Sequence, residues 1–394
     1  MTMIAIRAES ADPSISGAWE LPEHFVMLRN TIRRFMAEEV RPVEERQPHD
    51  CYSLPPADLE VLRAKAKNAG LWCMASPEEY GGGGLGLLGQ VIVAEEAAKC
   101  RMGAYVPACG AFGIDPPSVI WLGTEEQRQK YGIAGIRGGK KNFVAISEAA
   151  GGSDPARKIE TTAVRDGDDF IINGTKLWIT GAEKADWGIV FAKGEKGISA
   201  FIVDRGTPGI TCREIGVIRS YAPYEVHFDN VRVPARNVLG TEGKGFDICQ
   251  SWLVHARVPY SAAVIGIAQA ALDIAIDYAR QRHVHKSLLS DKQAIQWMVA
   301  DSEMELRAAR LLVWQAAWNG DLGRDIKMDA SVAKVVSTET AGRVVDRCIQ
   351  ILGGMGVAQE MPLERWYREL RIKRIGEGPS EVHRMVLARE LLRK

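Results

Sequence analysis

Apolar residues recur at helical spacing over the first third of the chain, give way to short β-rich runs in the middle, and return to helical spacing after Gly245. Leu21 to Val40 is an amphipathic run, and Gln90 to Cys100 predicts a second helix, with loops at Pro55-Pro56, Tyr80 to Gly84 and Pro116-Pro117. Between Phe143 and Leu239 the texture is that of strands. Phe170-Ile171-Ile172, Asn173-Gly174 and Leu177-Trp178-Ile179-Thr180 predict a hairpin, because Asn-Gly supplies the positive φ angles of a tight turn. Gly197 to Val203 and Glu225 to Val233 predict further strands. In the last third, Ile265, Ala268, Leu272, Ile276 and Ala279 share one helical face, and Ile295, Val299, Leu306, Ala309 and Val313 repeat the pattern. Ser290-Asp291-Lys292-Gln293 predicts a capping box opening the second of these helices. Met328 to Leu352 and Pro379 to Leu392 complete a four-helix bundle. The expected class is α+β and mainly α. It comprises an N-terminal extension over 1–18, an N-terminal helical domain over 19–140, a middle β-domain over 141–242 and a C-terminal helical bundle domain over 243–394.

At 394 residues the chain exceeds a single hydrophobic core, which agrees with this division. Fifty basic residues balance fifty acidic ones, so no whole-chain field draws in nucleic acid or an anionic membrane, and neither is expected as a partner. An anionic ligand must be held locally. The seven cysteines are scattered without a Cys-x-x-Cys pair, which predicts reduced thiols, a cytoplasmic location and no metal site. The first 17 residues lack the apolar core of a secretory signal, and no run reaches the roughly 18 apolar residues of a membrane span. A soluble protein is expected.

Three local patterns carry little chemistry. Gly84-Leu85-Gly86-Leu87-Leu88-Gly89 fits G-x-G-x-x-G, but Ser76 to Tyr80 precedes it where a dinucleotide site needs a strand, so it predicts a flexible loop. His283 and His285 point to different faces of a helix and have no partners for a metal. Arg365 to Arg374 reads as a solvated or inter-subunit helix face.

Three segments carry more. Ala145 to Asp154 breaks from an apolar run into small residues, which lets backbone N–H groups approach a flat or anionic ligand, and Ser147 and Ser153 add hydroxyls; a plain β-turn is the alternative. Trp178-Ile179-Thr180 sets an indole beside a hydroxyl, as an aromatic ring system with a hydrogen-bonding edge requires, or as core packing provides. In Gly376-Glu377-Gly378-Pro379 a carboxylate is flanked by glycines at a helix start, leaving room for a substrate against it.

With these segments in view, the chain resembles the acyl-CoA dehydrogenase family from about Trp19 to Arg389. The family's T-E-P-x-A-G-S-D is similar to Ser147 to Asp154, N-G-T-K-x-W-I-T to Asn173 to Thr180, Q-I-L-G-G-x-G to Gln350 to Gly356, and Y-E-G-T-x-Q-I-x-R to Gly376 to Arg384. The resemblance implies FAD-dependent α,β-dehydrogenation of an acyl-CoA thioester to a 2-enoyl-CoA, with Glu377 taking the C2 proton and hydride passing from C3 to flavin N5. It assigns Ile146, Ser147, Ser153, Trp178, Ile179, Thr180, Arg282, Gln293, Gln350, Gly353, Gly354, Gly378 and Ser380 to the flavin, with Arg282, Gln293, Gln350 and Gly354 reaching its pyrophosphate and adenosine across a subunit boundary. Ser153, Arg257 and Gly376 fall to the substrate. A homo-oligomer, usually a tetramer, and an electron-transfer flavoprotein as electron acceptor are also implied. Alternatives within the fold are a flavin oxidase or monooxygenase and a non-catalytic acyl-CoA-binding member.

Departures from the family pattern modify the expectation. Arg282 to Lys286 replaces Arg-x-x-Phe-Gly, and Val254 stands where an aspartate helps hold CoA. Gly376 replaces a tyrosine that walls the acyl carbons, which implies room for branched or bulky acyl groups unless a neighbour, such as a side chain from Tyr105 to Phe112, fills the space.

Overall fold

The computed structural model describes residues 21–219 and 221–393; the extension over 1–18 and the start of the helical domain lie outside them. The chain divides into two units. One takes in the chain up to Met74, Gly84–Phe112 and Val254–Lys394; the other takes in Ala75–Gly83 and Gly113–Leu253.

The first unit is helical. Its elements are α1 (Glu23–Phe35), continued by a π-helical turn at Met36–Val40, α2 (Pro56–Asn68), α3 (Leu87–Ala97), and the greater part of α4 (Gly245–Gln281). Then come α5 (Gln293–Asp321), α6 (Lys327–Leu352), α7 (Leu363–Lys373) and α8 (Ser380–Leu391). The apolar faces read from the sequence form one core: Ile265, Ala268, Leu272, Leu306, Ala309, Val313, Val344 and Ile351 are all buried in it. By length and composition α4 could cross a membrane, yet its apolar residues are spent on this core.

Two local expectations fail here. Leu87 to Gly89 is the first turn of α3 rather than a flexible loop, and its orphan donors are met by a distant carboxylate: Asp321 accepts from Leu87 N at 2.5 Å and Leu88 N at 2.9 Å. A Cβ on Gly86 would come within 2.7 Å of the same carboxylate, which accounts for that glycine. The capping box at Ser290 does not form either. Lys292 precedes α5 without a side-chain cap, and Asp291 turns back to accept from Leu288 N.

The second unit is built on one sheet of β1 (Asn142–Ala145), β2 (Thr162–Asp166), β3 (Asp169–Thr180), β4 (Trp187–Gly194), β5 (Gly197–Asp204), β6 (Ile210–Glu214), β7 (Pro223–Pro234) and β8 (Val238–Leu239). The order is β6-β7-β3-β2-β4-β5-β8, with β1 pairing β4 in parallel. The hairpin expected at Asn173-Gly174 is absent. Asp169 to Thr180 is one strand, and Gly174 marks an irregularity where the register against β7 shifts. Its glycine serves close approach rather than a turn, since a Cβ there would lie 2.5 Å from Thr161 Oγ1 on the neighbouring chain segment.

Candidate active site

Glu377 lies in the connection between α7 and α8 with a left-handed backbone, φ +58°, followed by Gly378 at φ +96°. A left-handed non-glycine residue costs on the order of 1–2 kcal/mol, so the surroundings must hold it. Three side chains do so through main-chain carbonyls. Arg257 Nε on α4 donates to Glu377 O at 2.9 Å, and His383 Nε2 lies 3.2 Å from the same oxygen. Lys334 Nζ, from within α6, donates to Arg374 O at 3.0 Å and Gly378 O at 2.6 Å. A Cβ on Gly378 would stand 3.1 Å from His383 Nε2, so that glycine is required by space as well as by φ. Arg257 was legible in the sequence; Lys334 and His383 were not.

Carboxylate oxygen Oε2 of Glu377 is buried and accepts no hydrogen bond. Burial pushes the carboxyl above its ordinary range, and the nearby charges of Arg257, Lys373 and Lys334 work against that rise. Burial, seconded by Arg257, lowers Lys334 to about 8. Burial, Arg257 and Lys334 lower His383 to about 4, so its ring is neutral at pH 7. A histidine depressed in the folded state contributes stability that is complete above its unfolded value near 6.5 and is lost as pH falls toward 4. His383→Gln, which keeps a donor toward Glu377 O, should therefore lose less stability between those pH values than the parent, by on the order of 2 kcal/mol in urea titrations.

Gly376 precedes this carboxylate, and the room beside it is not open. A Cβ there would meet Tyr260 Oη at 3.1 Å. The filling side chain comes from α4, not from Tyr105 to Phe112. Helix α7 also departs from expectation: Arg365, Glu369 and Lys373 are buried, so that face is packed rather than solvated. Its 3.6-residue period turns every fourth charge inward.

In the second unit the structure brings two of the sequence segments together. Leu177 N donates to Ser147 O at 2.9 Å, and Lys176 Nζ donates to Ile146 O at 3.1 Å and to Glu148 Oε1 at 2.7 Å. The Glu148–Lys176 pair is buried, and Glu148 also accepts from Glu160 N and Thr161 N. Burial alone would raise the Glu148 carboxyl; Lys176 and these N–H donors hold it below its ordinary range. Neither residue stood out in the sequence, because nothing local marks a salt bridge between segments. Along β3, Trp178 and Thr180 are exposed while Ile179 points into the sheet core, so Ile179 has only its main chain to offer on the outer face. Trp178 has φ +66°, which turns its indole outward, and 55% of it is exposed. Thr180 Oγ1 accepts from Arg219 Nη2 at 3.1 Å, a partner the sequence did not suggest. Ser153 is exposed beyond the segment held by Glu148.

The remaining flavin candidates lie in the first unit. Arg282, Gln293, Gln350, Gly353 and Gly354 are exposed, and a Cβ on either glycine would meet nothing within 4 Å. Ser380 is buried at the first turn of α8. After Arg282 the chain makes a two-residue hairpin, β9 (His283–Val284) with β10 (Ser287–Leu288), in which His285 and Lys286 take φ +50° and +68°. The histidines are thus in a hairpin, His283 on its first strand and His285 in its turn, rather than on a helix. Elsewhere in this unit Glu44, Cys100 and Cys109 bring donor atoms within 4.8 Å of one another, a grouping the linear spacing concealed. Cys109 Sγ donates to Glu44 there, at 3.4 Å.

The N-terminal, middle and C-terminal domain families of acyl-CoA dehydrogenase match residues 22–138, 144–231 and 243–392. The mitochondrial short-chain specific acyl-CoA dehydrogenase of Rattus norvegicus is 37% identical over 385 residues, covering 95% of this chain and 91% of the relative. Butyryl-CoA dehydrogenase from Megasphaera elsdenii superposes with a TM-score of 0.82 at 31% identity, covering 95% of this chain and all of that one. A glutaryl-CoA dehydrogenase from Mycobacterium smegmatis, in complex with FADH2, gives 0.83 at 27% identity, covering 95% of this chain and 96% of that one. With all three domain families matched and relatives similar over nearly its whole length, the chain belongs to the acyl-CoA dehydrogenase family of flavoprotein oxidoreductases.

Proposed function

We propose that this chain removes a proton from C2 of an acyl-CoA thioester with Glu377 and uses FAD as cofactor. The observation that carries the reading is the carboxylate itself: Oε2 is buried and accepts no hydrogen bond, on a backbone clamped by Arg257, Lys334 and His383. An ordinary carboxylate is too weak a base for a thioester C–H. Burial raises its proton affinity, and fixed donors must stabilise the enolate oxygen as charge develops. The Glu377 N–H is the donor this chain offers for that oxygen. Arg257 and Lys334 keep the carboxyl ionisable despite its burial.

The residues present suit a flavin. The exposed Trp178 indole offers a stacking face, and the neighbouring Thr180 hydroxyl and the small-residue segment at Ser147 offer hydrogen bonds at a ring edge. Exposed Arg282, Gln293, Gln350 and Gly354 would serve the pyrophosphate and adenosine end. When bound, the flavin supplies the acceptor for hydride from C3, and an electron-transfer flavoprotein would receive the electrons. Anaerobic bleaching of the flavin absorbance over a panel of acyl-CoA thioesters tests the reading; absence of bleaching by every thioester would overturn it.

A homo-oligomer is part of the same proposal. Trp297, Met304 and Leu311, seven residues apart on α5, form an apolar stripe that is 62%, 61% and 40% exposed. Trp297→Glu should lower the molar mass measured by light scattering after size exclusion, and an unchanged mass would remove this stripe from the interface. The scattered cysteines suit a reducing cytoplasm.

A further inference from the structure

One side chain stands against the position left bare by Gly376, and Lys373 stacks between it and Tyr105. Tyr260 Oη, 3.1 Å from where a Cβ of residue 376 would stand, donates to Lys373 O at 3.0 Å. The Lys373 ammonium is buried over two rings, 4.2 Å from the centroid of Tyr260 and 3.9 Å from that of Tyr105. A desolvated cation between two aromatic faces is held by both ring quadrupoles, so it fixes both rings. On α4, Tyr260 lies one turn beyond Arg257, whose guanidinium holds the Glu377 carbonyl. The helix turn that positions the base therefore also positions the tyrosine, on the side that residue 376 would otherwise cover.

We infer that Tyr260 is the specificity-determining wall of the acyl site, that Lys373 is its positioning residue, and that the acyl group selected is short and unbranched at C3. This rests on the reading of Glu377 as the base. The side chain absent from position 376 has been replaced from another helix, and a branch at C3 would meet a ring that a buried cation keeps from swinging away. Glycine at 376 then reflects the presence of Tyr260 rather than a wide pocket.

The test pairs kinetics with stability. Tyr260→Ala should raise the ratio of kcat/KM for isovaleryl-CoA over butyryl-CoA by about tenfold or more, the scale for relieving one or two carbon atoms of steric exclusion. Lys373→Met should move the ratio the same way, and Lys373→Arg should restore it. Gly376→Ala should lower the melting temperature of the parent but not of Tyr260→Phe, which lacks the hydroxyl that the new methyl would meet. The inference is overturned if Tyr260→Ala leaves the thioester ratio within about twofold, or if Gly376→Ala is equally costly in both backgrounds. Were no thioester to bleach the flavin of the parent, the reading of Glu377 would fall, while the melting comparison would still decide whether Tyr260 occupies the place of the missing side chain.

Discussion

Replacing Glu377 with Gln is expected to cut the rate of flavin reduction by acyl-CoA by about two to four orders of magnitude, the range for loss of a general base. The amide keeps the shape of the side chain and cannot take the C2 proton. Thermal stability should hold or rise. A carboxyl whose proton affinity is raised by burial weakens the folded state at any pH where it is ionised, and the neutral amide is free of that desolvation. Stopped-flow absorbance of the flavin together with calorimetry reads both effects. A variant within a few-fold of the parent would show that another group takes the proton. The acidic limb of kcat/KM should lie above the ordinary carboxylate range, because protonation of Glu377 on acidification removes the base.

The largest loss of stability is expected at Lys176. Its ammonium is buried against Glu148, and Lys176→Met leaves that carboxylate without its counter-ion in a site closed to water. Breaking such a pair from one side costs about 3–5 kcal/mol. The double variant Lys176→Met with Glu148→Gln should recover most of it, since the amide oxygen can still accept from the N–H groups of Glu160 and Thr161. Urea denaturation of both single variants and the double measures the coupling, and additive losses would mean that the pair contributes no mutual stabilisation. Because Glu148 is held below its ordinary range, its contribution is complete above the unfolded value and falls away as pH drops through the folded one.

Much of this architecture could be read along the chain, and the failures share one cause. The apolar periodicity of Ile265 to Ala279 and Leu306 to Val313 foretold their burial, because a helix must hide one face. Glu377 stood out through its flanking glycines. Asn173-Gly174 looked like a turn because turn rules are local, whereas the glycine answers to Thr161 from outside its own strand. Asp321 caps α3 from a place no capping rule inspects. Lys334, His383 and Tyr260 look like ordinary helix residues until α4, α6 and α8 bring them to one loop. Arg365, Glu369 and Lys373 read as part of a solvated or inter-subunit face, because nothing along the chain shows the partners that make their burial tolerable.

The Asp321 cap also bears on the order in which the protein can take shape during synthesis. The amides of Leu87 and Leu88 must wait for a carboxylate 234 and 233 residues further along, and the core around them draws on Val254–Lys394. By contrast, almost all of the sheet unit lies in one continuous stretch, Gly113–Leu253. On the ribosome the middle of this chain can therefore reach its final form while its beginning is still incomplete, reversing the usual sequence in which N-terminal segments settle first.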